Sequence, residues 1–266
     1  MTFDGRTYTG TVQRVTRALG LHTHLKSLYW GLRIPRLLYA ASLRDAVVHE
    51  VNGTAVECPT ETYWQYRRFR WMHPEVRLFE ELVAELGNGD VFYDVGAHLG
   101  WHSLVAAAAP GDADVVAFEP HPETVARLET VIDAVGSEVD VRPIALGETD
   151  GTVEFAATPT PDAHVSGALS TTLEESITVT AARGDSLVQR GRLDPPDVLK
   201  IDAEGADAAV LRGLRETIET TRPRRIYCEV HRDEPEITAL LDRFDYAHEP
   251  LASARPILRA TPAELA

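Results

Sequence analysis

The stretch that most constrains the fold is Val91-Phe92-Tyr93-Asp94-Val95-Gly96-Ala97-His98-Leu99-Gly100. Residues with strand character run into an acid, then into two glycines separated by three residues, then into a helical stretch from Trp101 to Ala109. A strand that stops at glycine and restarts as a helix is expected to leave backbone N–H groups free at the helix N-terminus. Glycine also admits close approach of a ligand and dihedrals closed to other residues. The spacing is Gly-x-x-x-Gly behind Asp94, not the Gly-x-Gly-x-x-Gly of dinucleotide folds. That shifts the expected ligand from a pyrophosphate to one without it, such as S-adenosylmethionine.

The next apolar run, Val115-Val116-Ala117-Phe118-Glu119, is a second buried strand ending in an acid. Glu119 lies 25 positions after Asp94, near the spacing at which a Rossmann-like fold offers a carboxylate to ribose hydroxyls. Alone it reads as a solvated acid; behind the glycine turn it reads as a ribose ligand. Pro120 and Pro122 end the strand, and Val125, Leu128, Ile132 and Val135 recur at helical spacing. Asp197 to Asp202 is another buried strand with an acidic end, followed by Ala203-Glu204-Gly205. One helix is expected after it, carrying Ala206, Val210, Leu214 and Ile218 on one face. Arg225 to Val230 is a strand leading into His231, and Pro235 to Phe244 is a helix. Val139 to Pro143 is a further strand, with Ile144 to Gly147 as the turn after it. Thr152 to Ala156 and Ile177 to Ala181 are short strands around a Pro-, Ser- and Thr-rich loop, and residues near Tyr246 and Pro256 to Ala260 supply a closing antiparallel pair.

Alternating strands and helices with acids at strand ends predict an α/β fold. It is Rossmann-like, with a mostly parallel open sheet, helices on both faces and the ligand beyond the carboxyl ends of the strands. In front of it, Asn52-Gly53 joins two strands as a hairpin, and an aromatic segment from Tyr63 to Met72 reads as a lid over the core edge or the lining of a substrate entrance. Pro74 then opens a helix with Val76, Phe79, Leu82, Val83 and Leu86 on its apolar face. The expected division is an arm over 1–44, a hairpin and lid segment over 45–72, and the Rossmann-like domain over 73–266.

Charge narrows the partners. The formal net charge is -15, which argues against a nucleic-acid-binding body. An acidic surface with only two lysines, Lys26 and Lys200, has the composition of a salt-adapted protein. Residues 5–44 depart from this, with seven basic residues and no acid. Their Leu21, Leu25, Leu28 and Leu32 recur at helical spacing, and a basic amphipathic arm can lie on an anionic membrane surface. The competing reading packs the arm on the protein's own acidic body and carries slightly more weight. No apolar run reaches spanning length and no signal peptide precedes the fold, so the expected compartment is the cytoplasm. Cys58 and Cys228 match no metal-ligand spacing.

Five segments taken together, Asp94-Val-Gly-Ala-His-Leu-Gly100, Ala117-Phe-Glu-Pro120, Ala145-Leu-Gly147, Lys200-Ile-Asp-Ala-Glu-Gly-Ala206 and Glu229-Val-His231, resemble the successive motifs of FkbM-family S-adenosylmethionine-dependent methyltransferases. Order and spacing match from about Glu75 to His231. His98 stands where the family commonly has Asn, and Asp207 where it commonly has Glu. The resemblance implies O-methylation of a small-molecule hydroxyl on a sugar, glycolipid or other natural product. It implies that Gly96, Ala97 and Gly100 let the backbone approach the methionine end of the cofactor, with Asp94 orienting that loop or the amino group. Glu119 would take the ribose hydroxyls, Ala145 and Leu146 would border the adenine, and Asp202 would stand beside the departing methyl group.

Removal of the acceptor's proton is then the remaining chemistry, with His98, His102, Glu204 and His231 as candidates. The assignment is His231 as base, with Glu204 orienting it or the acceptor and Asp202 beside them. No metal is expected, because Lys200 adjoins Asp202 and Glu204 and the sequence offers no third carboxylate nearby. A nicotinamide-dependent dehydrogenase is disfavoured by the glycine spacing. A non-catalytic cofactor-binding or scaffold protein is disfavoured by the retained acids and His231, while a membrane-surface module built on the basic arm is compatible with either reading.

Overall fold

The computed structural model of the chain describes residues 46–59, 75–156, 176–231, 233–253 and 255–266. The basic arm, the aromatic segment from Tyr63 to Met72 and the Pro-rich loop lie outside these residues. The described chain begins with the hairpin of β1 (Ala46–Val51) and β2 (Thr54–Pro59). Asn52 and Gly53 turn it at φ 47° and 82°, the positive dihedrals that an Asn-Gly hairpin requires. The helix α1 (Val76–Glu85) follows, and its Phe79 and Leu82 share one core with Val51, Val56 and Cys58 of the hairpin.

The body then alternates as predicted: β3 (Val91–Val95), α2 (Trp101–Ala107), β4 (Asp114–Phe118), α3 (Pro122–Val135) and β5 (Asp140–Arg142). Next come the small strands β6 (Ala145–Leu146), β7 (Gly151–Ala156) and β8 (Ser176–Ala182), and the helix α4 (Gly184–Gln189). The chain continues with β9 (Val198–Ile201), α5 (Asp207–Gly213), α6 (Arg215–Thr221), β10 (Arg225–Glu229), α7 (Glu234–Arg243), β11 (Tyr246–Pro250) and β12 (Ile257–Pro262). The main sheet runs β11-β12-β10-β9-β3-β4-β5. Strands β10, β9, β3, β4 and β5 are parallel, while β12 and β11 are antiparallel additions at one edge. Parallel strands with short crossovers bury both faces, and the residues alternate accordingly. Phe92 and Tyr227 join the core with α1 and α2, whereas Tyr93, Leu199, Ile201 and Cys228 join the core with α5 and α7. Each fully buried Phe or Leu in these layers contributes about 1.5–3 kcal/mol.

Three local expectations change. The single helix after Gly205 is two helices, broken at Leu214 (φ -109°, ψ 11°). The first of them ends on a close crossing: a Cβ on Gly213 would lie 1.8 Å from the Gly147 carbonyl oxygen, so the chain passes there backbone against backbone. Ala145 and Leu146, expected in a turn, form a short strand beside β8 in a separate three-stranded sheet. The helix α4 was not anticipated, because six residues carry too little periodicity to read. Among the described residues no helix is long and apolar enough to cross a membrane.

Candidate active site

Strand register places the acids. Asp94 of β3 lies opposite Lys200 of β9, and β9 neighbours β10, so the ends carrying Asp94, Glu119, Asp202 and Glu229 open on one edge of the sheet. A cavity of about 440 Å³ sits there. Gly96, His98 and Glu119 form one side of its lining, Ala145 and Leu146 another, and Asp202, Glu204, His231 and Arg255 a third. Phe118, Ile144 and Phe155 give it an apolar slot.

The N–H groups of the glycine turn itself, ahead of the helix, are taken up inside the protein. The N–H groups of Gly96 and Ala97 both donate to the Phe118 carbonyl, at 2.9 and 3.0 Å. The N–H of His98 donates to Glu119 Oε2 at 3.0 Å. Gly96 has φ 75°, and a Cβ there would stand 1.9 Å from the Asp202 carbonyl oxygen. Its glycine is therefore required by the contact between the β3 and β9 turns as well as by its dihedral. His98 takes φ 53°, a conformation that Asn and His tolerate better than most residues.

Asp94, Ala97 and Gly100 do not reach the cavity lining. Asp94 is fully buried, with Oδ1 accepting from Lys200 Nζ at 2.9 Å and Oδ2 from Ser103 Oγ at 2.7 Å. Lys200 Nζ also donates to the carbonyls of Val95 and Gly96, at 3.3 and 3.1 Å. Burial opposes both charges, yet Lys200 holds Asp94 below the usual carboxylate range and Asp94 holds Lys200 above the usual amine range. Of the two roles expected for Asp94, this geometry serves the orientation of the loop. Ala97 packs against Ala117, Leu128 and Ile132, and a Cβ on Gly100 would meet Leu128 Cδ1 at 2.5 Å. These residues build the wall behind the cavity.

Glu119 is 6% exposed, and its oxygens accept from the N–H groups of His98 and His121, each at 3.0 Å. Every carboxylate oxygen has a second acceptor site, so two remain for a diol. Burial raises its carboxyl to about 7, against the opposing pull of those N–H donors. With the apolar slot and the crossing at Gly96, this wall fits an adenosyl group with an attached amino acid.

The opposite wall brings together His231, Asp202 and Glu204. His231 Nε2 lies 3.4 Å from Asp202 Oδ1, 3.5 Å from Glu204 Oε2 and 3.7 Å from Glu229 Oε1. Its Nδ1 lies 3.1 Å from Asp207 Oδ2. The hydrogen bond with Asp207, then the charges of Asp207, Asp202 and Glu204, raise the imidazole to about 9 although burial opposes it. Glu204 is raised by burial and by Asp202, and it sits at φ 49°. Non-glycine residues held in such dihedrals concentrate at functional sites. Of the other histidines considered, His98 lines the cavity, whereas His102 is buried outside the lining with Nε2 3.1 Å from Glu75 Oε2.

Three participants carry no role assigned from the sequence. Arg255 arrives from the segment before β12 and binds Glu229 at 3.0 Å and Glu75 at 3.5 Å. Glu229 supplies the third nearby carboxylate that was not expected, so that ground for expecting no metal is removed. Ligand atoms of Asp202, Glu229 and His231 lie within 4.8 Å of one another, with Arg255 already paired to Glu229. Asp207 is buried below the cavity floor. Glu229, at the head of the Glu229-Val-His231 segment, and Asp207, next after Ala206, stood where the motifs could have drawn attention to them; Arg255 had no such signal.

The sequence matches the family model described as the Methyltransferase FkbM domain over residues 94–249. It is 30% identical over 207 residues to the hexuronic acid methyltransferase AglP of Haloferax volcanii, covering 77% of this chain and 83% of that protein. Among solved structures, a methyltransferase FkbM from Methylobacillus flagellatus is similar with TM-score 0.49 and 16% identity, over 75% of this chain and 53% of that one. The chain thus spans about half the length of that structure. A putative rRNA methylase from Clostridium thermocellum is similar with TM-score 0.47 and 10% identity, over 71% and 95% of the two chains.

Proposed function

The chain belongs to the FkbM methyltransferase family, and from that premise we propose that it methylates a hydroxyl of a sugar, with S-adenosylmethionine as donor. The observation that carries this reading is one cavity with Glu119 and the glycine turn on one wall and His231, Asp202 and Glu204 on another. The hexuronic acid methyltransferase of Haloferax volcanii supports hexuronic acids as the first acceptors to examine. The cofactor would supply the methyl group as an activated sulfonium. Glu119 would hold the ribose diol, and Ala145 and Leu146 would flank the adenine. Asp202 and Glu204 would orient the acceptor. His231 Nε2 would take the hydroxyl proton as the new oxygen–methyl bond forms. The acceptor is a small molecule and not a nucleic acid, in keeping with the net charge of -15. The proposed reaction uses no metal, on the ground that Arg255 already pairs with Glu229 in the cluster of Asp202, Glu229 and His231. Transfer of labelled methyl to members of a panel of sugars and sugar acids is the direct test. Failure of every sugar, with S-adenosylhomocysteine still bound, would overturn the acceptor class.

The donor reading predicts how affinity depends on pH. The Glu119 carboxylate forms above about 7 in the empty site, and the ionised form is the one that accepts ribose hydroxyls. S-adenosylhomocysteine should therefore bind more weakly as pH falls below about 7. Glu119→Gln should remove that dependence and weaken binding by about 1.5–3 kcal/mol, the worth of hydrogen bonds to a charged group. Calorimetry across pH checks both; unchanged affinity in the variant would take Glu119 out of the site.

The proposed compartment is the cytoplasm, with residues 5–44 as a basic arm, 45–72 as hairpin and lid segment, and 73–266 as the catalytic domain. If the arm contacts membrane, vesicles containing anionic lipid should co-sediment the protein, less so as salt rises. Sedimentation unaltered by deletion of the arm would leave the arm only a packing role.

A further inference from the structure

We propose that Asp207 is the positioning residue of the catalytic wall, fixing the His231 imidazole with Nδ1–H donated inward and Nε2 turned toward the acceptor. The inference rests on the reading of His231 as proton acceptor and adds a residue to it. Asp207 opens α5 and is 2% exposed. Its Oδ1 accepts from the Ala203 N–H at 2.7 Å, and its Oδ2 accepts from the Gly205 N–H at 3.2 Å. The same Oδ2 faces His231 Nδ1 at 3.1 Å. One buried carboxylate thus joins the turn after β9, which carries Asp202 and Glu204, to the residue after β10 that carries the imidazole.

The polarity of that contact decides which nitrogen can work as a base. A carboxylate can only accept, so Nδ1 must hold a proton. In the neutral ring the lone pair is then on Nε2, the nitrogen that faces Asp202 and Glu204 at the cavity surface. An orienting acid behind a histidine acts in this way wherever an imidazole must present one chosen nitrogen.

Asp207→Asn separates this role from a purely structural one. The Asn oxygen still accepts from Ala203, so the turn retains its stronger tie. The Asn amide instead donates to Nδ1, which moves the neutral-ring proton to Nε2 and blocks the base. The groups facing His231 are Asp207 from α5, Asp202 and Glu204 from the β9 turn, and Glu229 from β10 with Arg255 bound to it. Only the first changes in this variant, so the ascending limb of the pH–rate profile should move to lower pH.

The experiment pairs turnover with nitrogen NMR of histidine-labelled full-length protein, at a pH above the imidazole's transition. Asp207→Asn is expected to switch the His231 tautomer and cut kcat by about 10²–10⁴-fold, with S-adenosylhomocysteine affinity unchanged. Asp207→Glu, which keeps an acceptor, should keep the tautomer and most of the turnover. An unswitched tautomer in Asp207→Asn would overturn the positioning role. A switched tautomer with full turnover would overturn the assignment of His231 as base, and the role of Asp207 with it.

Discussion

Lys200→Met is expected to lower the unfolding free energy by about 3–5 kcal/mol, the cost of removing one partner from a buried ion pair. Lys200 is 3% exposed and Asp94 fully buried, so the variant strands a carboxylate with only Ser103 as its side-chain donor. It also frees the carbonyls of Val95 and Gly96, which Lys200 holds at the glycine turn. Urea unfolding monitored at constant m-value measures the loss. Asp94→Leu combined with Lys200→Met should recover part of it, because no isolated charge then remains buried. A loss below about 1 kcal/mol in the single variant would mean that the pair is as weak as an exposed one.

His231→Ala should reduce turnover by about 10²–10⁴-fold, the usual contribution of a positioned base, and leave S-adenosylhomocysteine affinity near wild type. The sign of the pH dependence is fixed by the carboxylates around the ring. With Asp207 and its neighbours raising the imidazole to about 9, the base form grows as pH rises. Wild-type kcat should climb to a plateau above about 9, and the variant should lose that limb. The assays should be run with and without a chelator. Turnover abolished by chelation and restored by magnesium would transfer proton removal from His231 to a bound cation. Turnover undiminished in the variant would point to an acceptor oxygen that needs no base, such as the carboxylate of a sugar acid.

The sheet was legible because its strands are short apolar runs that each end in an acid or glycine, a signal carried within a few residues. The glycine turn, Glu119, Asp202 and His231 could be named for the same reason, since strand order alone brings their ends to one edge. What Gly96 packs against and what holds Asp94 could not be read. Gly96 is shaped by a carbonyl of Asp202, and Asp94 by an amine of Lys200, both more than a hundred residues away. Arg255 of the cavity lining meets Glu75 across 180 positions of the sequence, with no local pattern to announce either. Asp207 looked like an ordinary acid in the first turn of a helix, where a carboxylate is favourable in any protein. Only its distance to His231 distinguishes it. The break at Leu214 was invisible because the apolar spacing runs through it unchanged.

The burial of Lys200 has a consequence for the protein's covalent chemistry. It is the only lysine among the described residues, and its amine spends its three donors inside the sheet. The surface of the described body therefore carries its positive charge as guanidinium, which stays charged at any working pH. Acylating reagents find no exposed ε-amine there. Modification at position 200 would instead record how often β3 and β9 part, which makes the residue an internal clock for opening at the centre of the sheet.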